Sequence, residues 1–375
     1  MKINNKLIFP LCYECAINGI YNCDHTEKEK ALTGTWVIAE VKVALKFGYR
    51  ILRIYEIWHF NESSKGLFED FINNCIRGKI EASGWPSNNM TLDEKQKYIE
   101  SYKVNENISL DINKIDKNPG KRATHKLKAN SFWGKFGQDN SKMKQIDYIT
   151  DPNIFFNLLT NNSFEISDAF LITPEILQVQ YSKKFPFLKE NSHSNVILAA
   201  YVTAYARLKL FKIIIKLGDR CIYYDTDSTM FIYKINDYIP KTGVFLGQLT
   251  SELKTAEEPD AYITKFISCG PKNYCYEVFY PISKTKKYFC KVKGLTLNFK
   301  TKYIVNFDTM KQHVDEFIKE NTNNLTQDVP QMKFKVSKYS DIHTCYTTKK
   351  YRLVYEKRKV LTDYRTRPFG FKNST

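Results

Sequence analysis

Two aspartates one residue apart, Asp225 and Asp227, interrupt a run of aromatic and β-branched residues, CIYYDTDSTMFIY. The flanks, Cys221 to Tyr224 and Ser228 to Tyr233, carry strand-forming side chains, whereas Asp favours turns. The stretch is therefore expected to form a β-hairpin with acid at its bend, apolar on both strand faces and buried up to the turn. Two like charges beside apolar strands cost repulsion and desolvation. A divalent cation between carboxylates and phosphate removes that cost, since Mg2+ typically uses one or two carboxylates plus substrate phosphates. In two-metal phosphoryl transfer such ions clamp the attacking and leaving oxygens. The competing reading is an ordinary acidic surface turn.

Charge narrows the partner. Lys and Arg number 57 against 40 Asp and Glu, a net charge of +17, which suits a polyanion and first of all nucleic acid. A merely lysine-rich chain is the alternative. The N-terminus has no apolar run of signal-peptide length, and Val196 to Ile215 is broken by Arg207, Lys209 and Lys212, so no membrane span is expected. An intracellular, reducing location follows, in which the nine cysteines are expected as free thiols or metal ligands before disulfides.

The chain reads as α+β. Helices are expected over VIAEVKVALKFG, over 121 to 133 and over about 195 to 217, with Gly218 as a stop. YRILRIYEIWHF reads as a strand, 141 to 193 as polar and turn-rich, and the tail from 301 as short helices between basic segments. In a helix over 121 to 133, Arg122, Lys126, Asn130 and Trp133 fall within about 80° of arc. Cations one turn apart suit a triphosphate and the ring suits a sugar or base, although such a stripe taken alone is more often a solvated face. Lys272 and Tyr274, two apart in a strand, would share a face that fits a nucleic-acid backbone or is a chance pair. CYECAINGIYNCDH offers Cys12, Cys15, Cys23 and His25 as a closed tetrahedral site for structural Zn2+, the alternative being chance clustering.

Taken together, these motifs resemble family B DNA polymerases. YYDTDS is similar to their motif C, KLKANSFWG to motif B (Lys-x-x-x-Asn-Ser-x-Tyr-Gly, with Trp133 in place of Tyr), and KNY to the Lys-x-Tyr motif, in the family's order. NSFWGKFGQ, GPKNYCYEV and KVKGLTLN resemble the protein-primed branch found in Polinton-type mobile elements, related viruses and linear plasmids.

The resemblance implies an incomplete right hand of palm (an antiparallel sheet with helices), fingers and thumb. Residues 1–105 would be an insertion contacting the priming protein and template, and 106–140 the fingers. A connecting region over 141–194, a palm over 195–280 and a thumb-like basic region over 281–375 would follow. Asp227 and Asp225 would be catalytic Mg2+ ligands; Arg122, Lys126, Asn130, Trp133 and Tyr223 would bind the incoming dNTP. Lys272, Tyr274, Lys291 and Lys293 would hold the primer-template, and a terminal priming protein is a further expected partner. No motif A (Asp-x-x-Ser-Leu-Tyr-Pro) occurs in the sequence, so half of the metal site is missing and weak synthesis is expected. The alternative is a catalytically inactive remnant that binds DNA or nucleotide.

Overall fold

Contacts divide the chain into two units, one of Met1–Thr35 with Ser251–Thr375 and one of Trp36–Thr250. This is a computed structural model, describing all residues except 1, 4–5, 8–11, 21, 140–142, 188–193, 256, 321–324, 338–340, 356–357, 362, 364–365 and 369–375. The region expected as one insertion over 1–105 is shared between the units, its cysteine-rich start lying in the first.

The first unit opens with the paired strands β1 (Lys2–Ile3) and β2 (Lys6–Leu7) and helix α1 (Tyr13–Asn18), which ends at Gly19 with φ of 67°. The second unit holds α2 (Ile38–Lys46), α3 (Glu69–Glu81), α4 (Leu92–Glu106) and α5 (Pro119–Phe136), then β3 (Gln145–Ile149), α6 (Pro152–Thr160), β4 (Phe164–Thr173) and β5 (Ile176–Lys183). It ends with α7 (Val196–Leu217), β6 (Cys221–Asp225) and β7 (Ser228–Phe231).

Local chemistry sets these boundaries. Thr91 and Glu94 form a capping box at the start of α4. At α5, Asn118 Oδ1 accepts from the Lys121 amide at 2.9 Å and Pro119 stands in the first turn, where its missing N–H costs nothing. Asn195 caps α7 in the same way, accepting from the Leu198 amide at 3.0 Å. Ile76 and Ile80, four apart on α3, are buried against Tyr102, Ile108, Leu110 and Ile115. Burying each isoleucine contributes about 2 kcal/mol.

Two sequence expectations fail in this unit. The stretch expected as a strand over 49–60 forms none: no described residue pairs with the backbone of 51–60, and Ile54, Tyr55, Ile57 and Trp58 stand exposed. Strand-forming side chains do not make a strand without a neighbour to take the N–H and C=O groups. Conversely, much of 141–193 forms a three-stranded antiparallel sheet, ordered β3-β5-β4, with Ile149, Val179 and Tyr181 buried beside α6. Residues 140–142 and 188–193 of that stretch lie outside the described residues.

The rest of the first unit is a three-stranded antiparallel sheet of β8 (Tyr262–Ser268), β9 (Asn273–Tyr280) and β10 (Thr285–Val292), with β9 central. Helix α8 (Phe307–Glu320) and the hairpins β11 (Gln327–Val336) with β12 (Ile342–Tyr351) and β13 (Arg358–Val360) with β14 (Thr366–Pro368) follow. The tail is thus mainly hairpins and not the expected alternation of short helices, and its last residues, 369–375, are outside the described set. Cys269, Cys275, Val305, Met310, Val329 and Tyr351 form its core. Cys275 and Cys290, directly opposite in β9 and β10, are joined by a disulfide, contrary to the expectation of free thiols or ligands; the register brings their Cα atoms to 4.1 Å. Among the described residues no helix is long and apolar enough to cross a membrane.

Glu277, at the centre of β9, is 2% exposed. Thr264 Oγ1 donates to it at 2.7 Å, and Lys265 and Lys286 pair with it at 3.3 and 3.6 Å. Hydrogen bonds from Tyr288 and Thr264, then the Lys265 charge, bring its pKa down from 4.5 to about 2. A depressed carboxylate pKa gives stability that is present above the ordinary value and lost as pH falls through the folded one. Urea midpoints measured from pH 6 to 2 are therefore expected to fall between about 4.5 and 2, and Glu277→Gln to flatten that fall; an unchanged profile would refute it.

Candidate functional site

The acidic hairpin forms as the sequence suggests, with Thr226 and Asp227 as a two-residue bend between β6 and β7. Asp225 is half-buried at the end of β6, paired with Ser228, and Asp227 is exposed. Burial alternates along β6: Tyr223 is half-buried opposite Met230, while Ile222 and Tyr224 face outward. The expectation of burial on both faces up to the turn is therefore wrong, because a two-stranded ribbon covers one face at most.

The bend itself is strained. Thr226 has φ of 52°, and the Asp227 amide donates back to the Asp225 carbonyl at 2.6 Å, closing a γ-turn. Positive φ in a β-branched residue costs on the order of 1–2 kcal/mol. Thr226 Oγ1 donates to Asp225 Oδ1 at 3.0 Å, and Ser228 Oγ to the Asp225 carbonyl at 3.1 Å, so the bend is tied down by its own hydroxyls. Strain of this kind gathers where a side chain must be held in one direction.

Arg122, Lys126, Asn130 and Trp133 are all exposed on α5. Its adjoining stripe, His125, Ala129, Phe132 and Phe136, is half-buried, and α3 and α5 pack together. A Cβ on Gly78 would collide with the His125 ring, so only glycine permits that approach. One residue on from each partner stand Lys79 and Lys126. Arg122 Nε donates to Ser83 Oγ at 3.1 Å, which turns the guanidinium toward the end of α3. Burial, then the positive charges of Arg122 and Lys126, push the Lys79 ammonium below its ordinary pKa.

Lys79 is the residue that sequence reasoning missed. It is 43 positions from Arg122, and no spacing rule links them; only the Gly78 approach to α5 brings it into the cationic group. Both α5 and β7 pack against α7, which makes it the common support of stripe and hairpin.

The remaining sites lie in the other unit. Lys272 is not in a strand: it occupies the third position of a turn in which the Asn273 amide donates to the Gly270 carbonyl at 3.1 Å, with Pro271 second and Lys272 at φ of 56°. This is type II geometry, which favours glycine where the lysine stands. The expected shared strand face with Tyr274 is accordingly wrong, since alternation begins only at Asn273. Tyr274 is buried, its ring 6.1 Å from Tyr276 and 6.1 Å from Phe266. Lys291 lies directly opposite Tyr274 in the β9–β10 register, and Lys293 is exposed in the turn that follows β10.

Cys12, Cys15, Cys23 and His25 converge with their ligand atoms all within 4.8 Å of one another, the three thiols buried. His25 Nδ1 lies 3.5, 3.2 and 3.6 Å from Cys12, Cys15 and Cys23 Sγ. Sulfur and nitrogen bound to one ion at about 2.3 and 2.0 Å stand about 3.5 Å apart along a tetrahedron's edge. Burial and the neighbouring thiols push Cys15 up to about 12, whereas for Cys23 the bonds from His25 outweigh burial and bring it down to about 7. The four residues form a cluster able to hold a metal ion.

Comparisons with protein-family models, with curated proteins and with solved structures return no match for this chain. The turn geometry gives a test of its own. Lys272→Gly is expected to raise unfolding stability by about 1 kcal/mol in urea titration, by relieving positive φ. A loss of stability would show that the lysine side chain, not the backbone, fixes this turn.

Proposed function

We propose that this chain is part of a protein-primed family B DNA polymerase, working in template-directed dNTP addition. The observation that carries the proposal is the presence, within one unit, of a strained two-carboxylate tip and an exposed cationic stripe, carried by β6–β7 and α5, of which β7 and α5 both pack on α7. Asp227 and Asp225 would hold Mg2+: hard oxygen donors on a bend tied by Thr226 and Ser228 fit an ion that takes one or two carboxylates plus phosphate oxygens. Bound there, Mg2+ supplies charge neutralisation at the transferring phosphoryl group.

The protein's own groups do the rest. Lys79, Arg122 and Lys126 hold the triphosphate, whose negative charge relieves their mutual repulsion, and Asn130 donates to it. Trp133 and Tyr223 flank the sugar and base. Lys272, Tyr274, Lys291 and Lys293 bind the primer-template, with the basic segments of the C-terminal region adding counterion release. The terminal priming protein belongs to this reading as a partner. A module that binds DNA and nucleotide without joining them is the second reading, favoured because the tip presents two carboxylates where the family uses a third from motif A.

Primer extension separates the two readings. With Mg2+ the isolated chain is expected to extend a paired primer weakly or not at all, and to gain activity from an added polypeptide carrying Asp-x-x-Ser-Leu-Tyr-Pro. That gained activity is expected to vanish in Asp227→Ala while DNA binding persists, and the Kd for dNTP to rise about tenfold or more in Lys126→Ala and in Lys79→Ala. Robust extension by the chain alone contradicts the incomplete site, and activity surviving Asp227→Ala contradicts the role of that residue.

The metal of the N-terminal cluster is proposed to be Zn2+, as a structural staple, since three thiols and an imidazole close a tetrahedral set with no open position. Elemental analysis is expected to find one zinc per chain, lost in Cys15→Ser. Absence of zinc, or its retention in that variant, rules the site out.

A further inference from the structure

We infer that the groove between α3 and α5, on the far side of α5 from the cationic stripe, binds single-stranded nucleic acid. The groove is a cavity of about 500 Å³ lined by Phe71, Phe132, Lys128, Ser131, Lys135 and Gln138, with no acidic residue on its wall. At 100° per residue, Lys128, Ser131 and Lys135 are centred about 180° from the arc of Arg122, Lys126, Asn130 and Trp133. One helix thus presents cations on two opposite faces.

The floor is aromatic and rigid. Phe71 and Phe132 are stacked with centroids 4.4 Å apart and planes at 27°, and Phe68 and Phe136 brace Phe132 edge-on at 4.9 and 5.1 Å. Phe71 is 41% exposed, a ring held by its neighbours with free surface for a base. Lys128 and Lys135 are two turns apart, about 10.5 Å along the axis, and both are exposed beside it. Lys135 Nζ donates to Gln138 Oε1 at 2.5 Å, which holds the ammonium at the rim.

Stacked rings between cations take unpaired strands of any sequence, because every base has a π-face and every nucleotide a phosphate. An apolar peptide would have no use for the two lysines, and an acidic one none for the ring. The chain's net charge of +17 favours the same occupant. This inference rests on the nucleic-acid half of the proposed function and not on synthesis.

The test is fluorescence anisotropy of a labelled oligothymidylate with the full chain, without Mg2+ or nucleotide, across a salt series. The double variant Lys128→Ala with Lys135→Ala is expected to bind at least tenfold more weakly, and to lose about 1.4 from the slope of log K against log salt, about 0.7 for each phosphate contact. Phe71→Leu, which keeps the packing apolar, is expected to weaken binding about fivefold or more with a smaller change of slope. Unchanged melting temperatures establish that both variants fold. Equal affinity and slope in the variants overturn the inference, as does binding of an acidic peptide that these changes abolish while the oligonucleotide is unaffected. Failure of dNTP binding at Lys126 with these results intact would remove the polymerase reading and leave this site standing.

Discussion

Gly78 lets α3 lie against the His125 ring at a distance that no side chain would permit, and the cationic group of the 36–250 unit is organised around that approach. The cost is visible in His125 itself, whose Nδ1 is buried with no hydrogen-bond partner among the described residues, worth on the order of 1–3 kcal/mol. The return is positional. Lys79 and Lys126, each one residue beyond the contact, belong to one group with Arg122, and Ser83 fixes the guanidinium from the end of α3. Glu106 offsets part of the repulsion among these three cations, and a bound anion would offset more.

The acidic tip shows the same logic with the sign reversed. Its two carboxylates are held by a γ-turn through a threonine, and Lys272 in the other unit also sits at positive φ where a glycine would be easier. Both turns place a charged side chain at the end of a hairpin at the expense of backbone ease. Ordinary surface turns favour Gly or Asn at such positions; Thr226 and Lys272 share the exception with Lys284, at φ of 53° in the β9–β10 turn, so positive φ by itself does not mark either site. The cluster of Cys12, Cys15, Cys23 and His25 differs in kind, since its donor atoms gather within one short segment and ask nothing of distant packing.

What was legible in the sequence was local. Asn118 with Pro119, Asn195 and Gly218 mark helix ends by chemistry that acts over three or four residues, and the structure uses each. Cys12, Cys15, Cys23 and His25 could be paired by spacing alone for the same reason. Non-local pairing was opaque. Residues 51–60 have the side chains of a strand and no backbone partner among the described residues, whereas the polar run 145–183 holds a real sheet because β5 finds a neighbour on both edges. The Cys275–Cys290 bond needed the β9–β10 register, and Lys79 needed the helix crossing at Gly78. Neither is written in any short window of residues.

Iron-directed cleavage tests most directly whether the acidic tip and the cationic stripe share one nucleotide. With Fe2+ replacing Mg2+ and ascorbate present, radicals formed at the bound ion cut the nearest backbone. In the presence of dNTP, cuts are expected around 225–227, on α5 between 122 and 130 and at the end of α3 near Lys79, all suppressed by excess Mg2+. Cuts confined to the hairpin, with α5 and α3 untouched, would mean that the carboxylates and the cations serve separate ends.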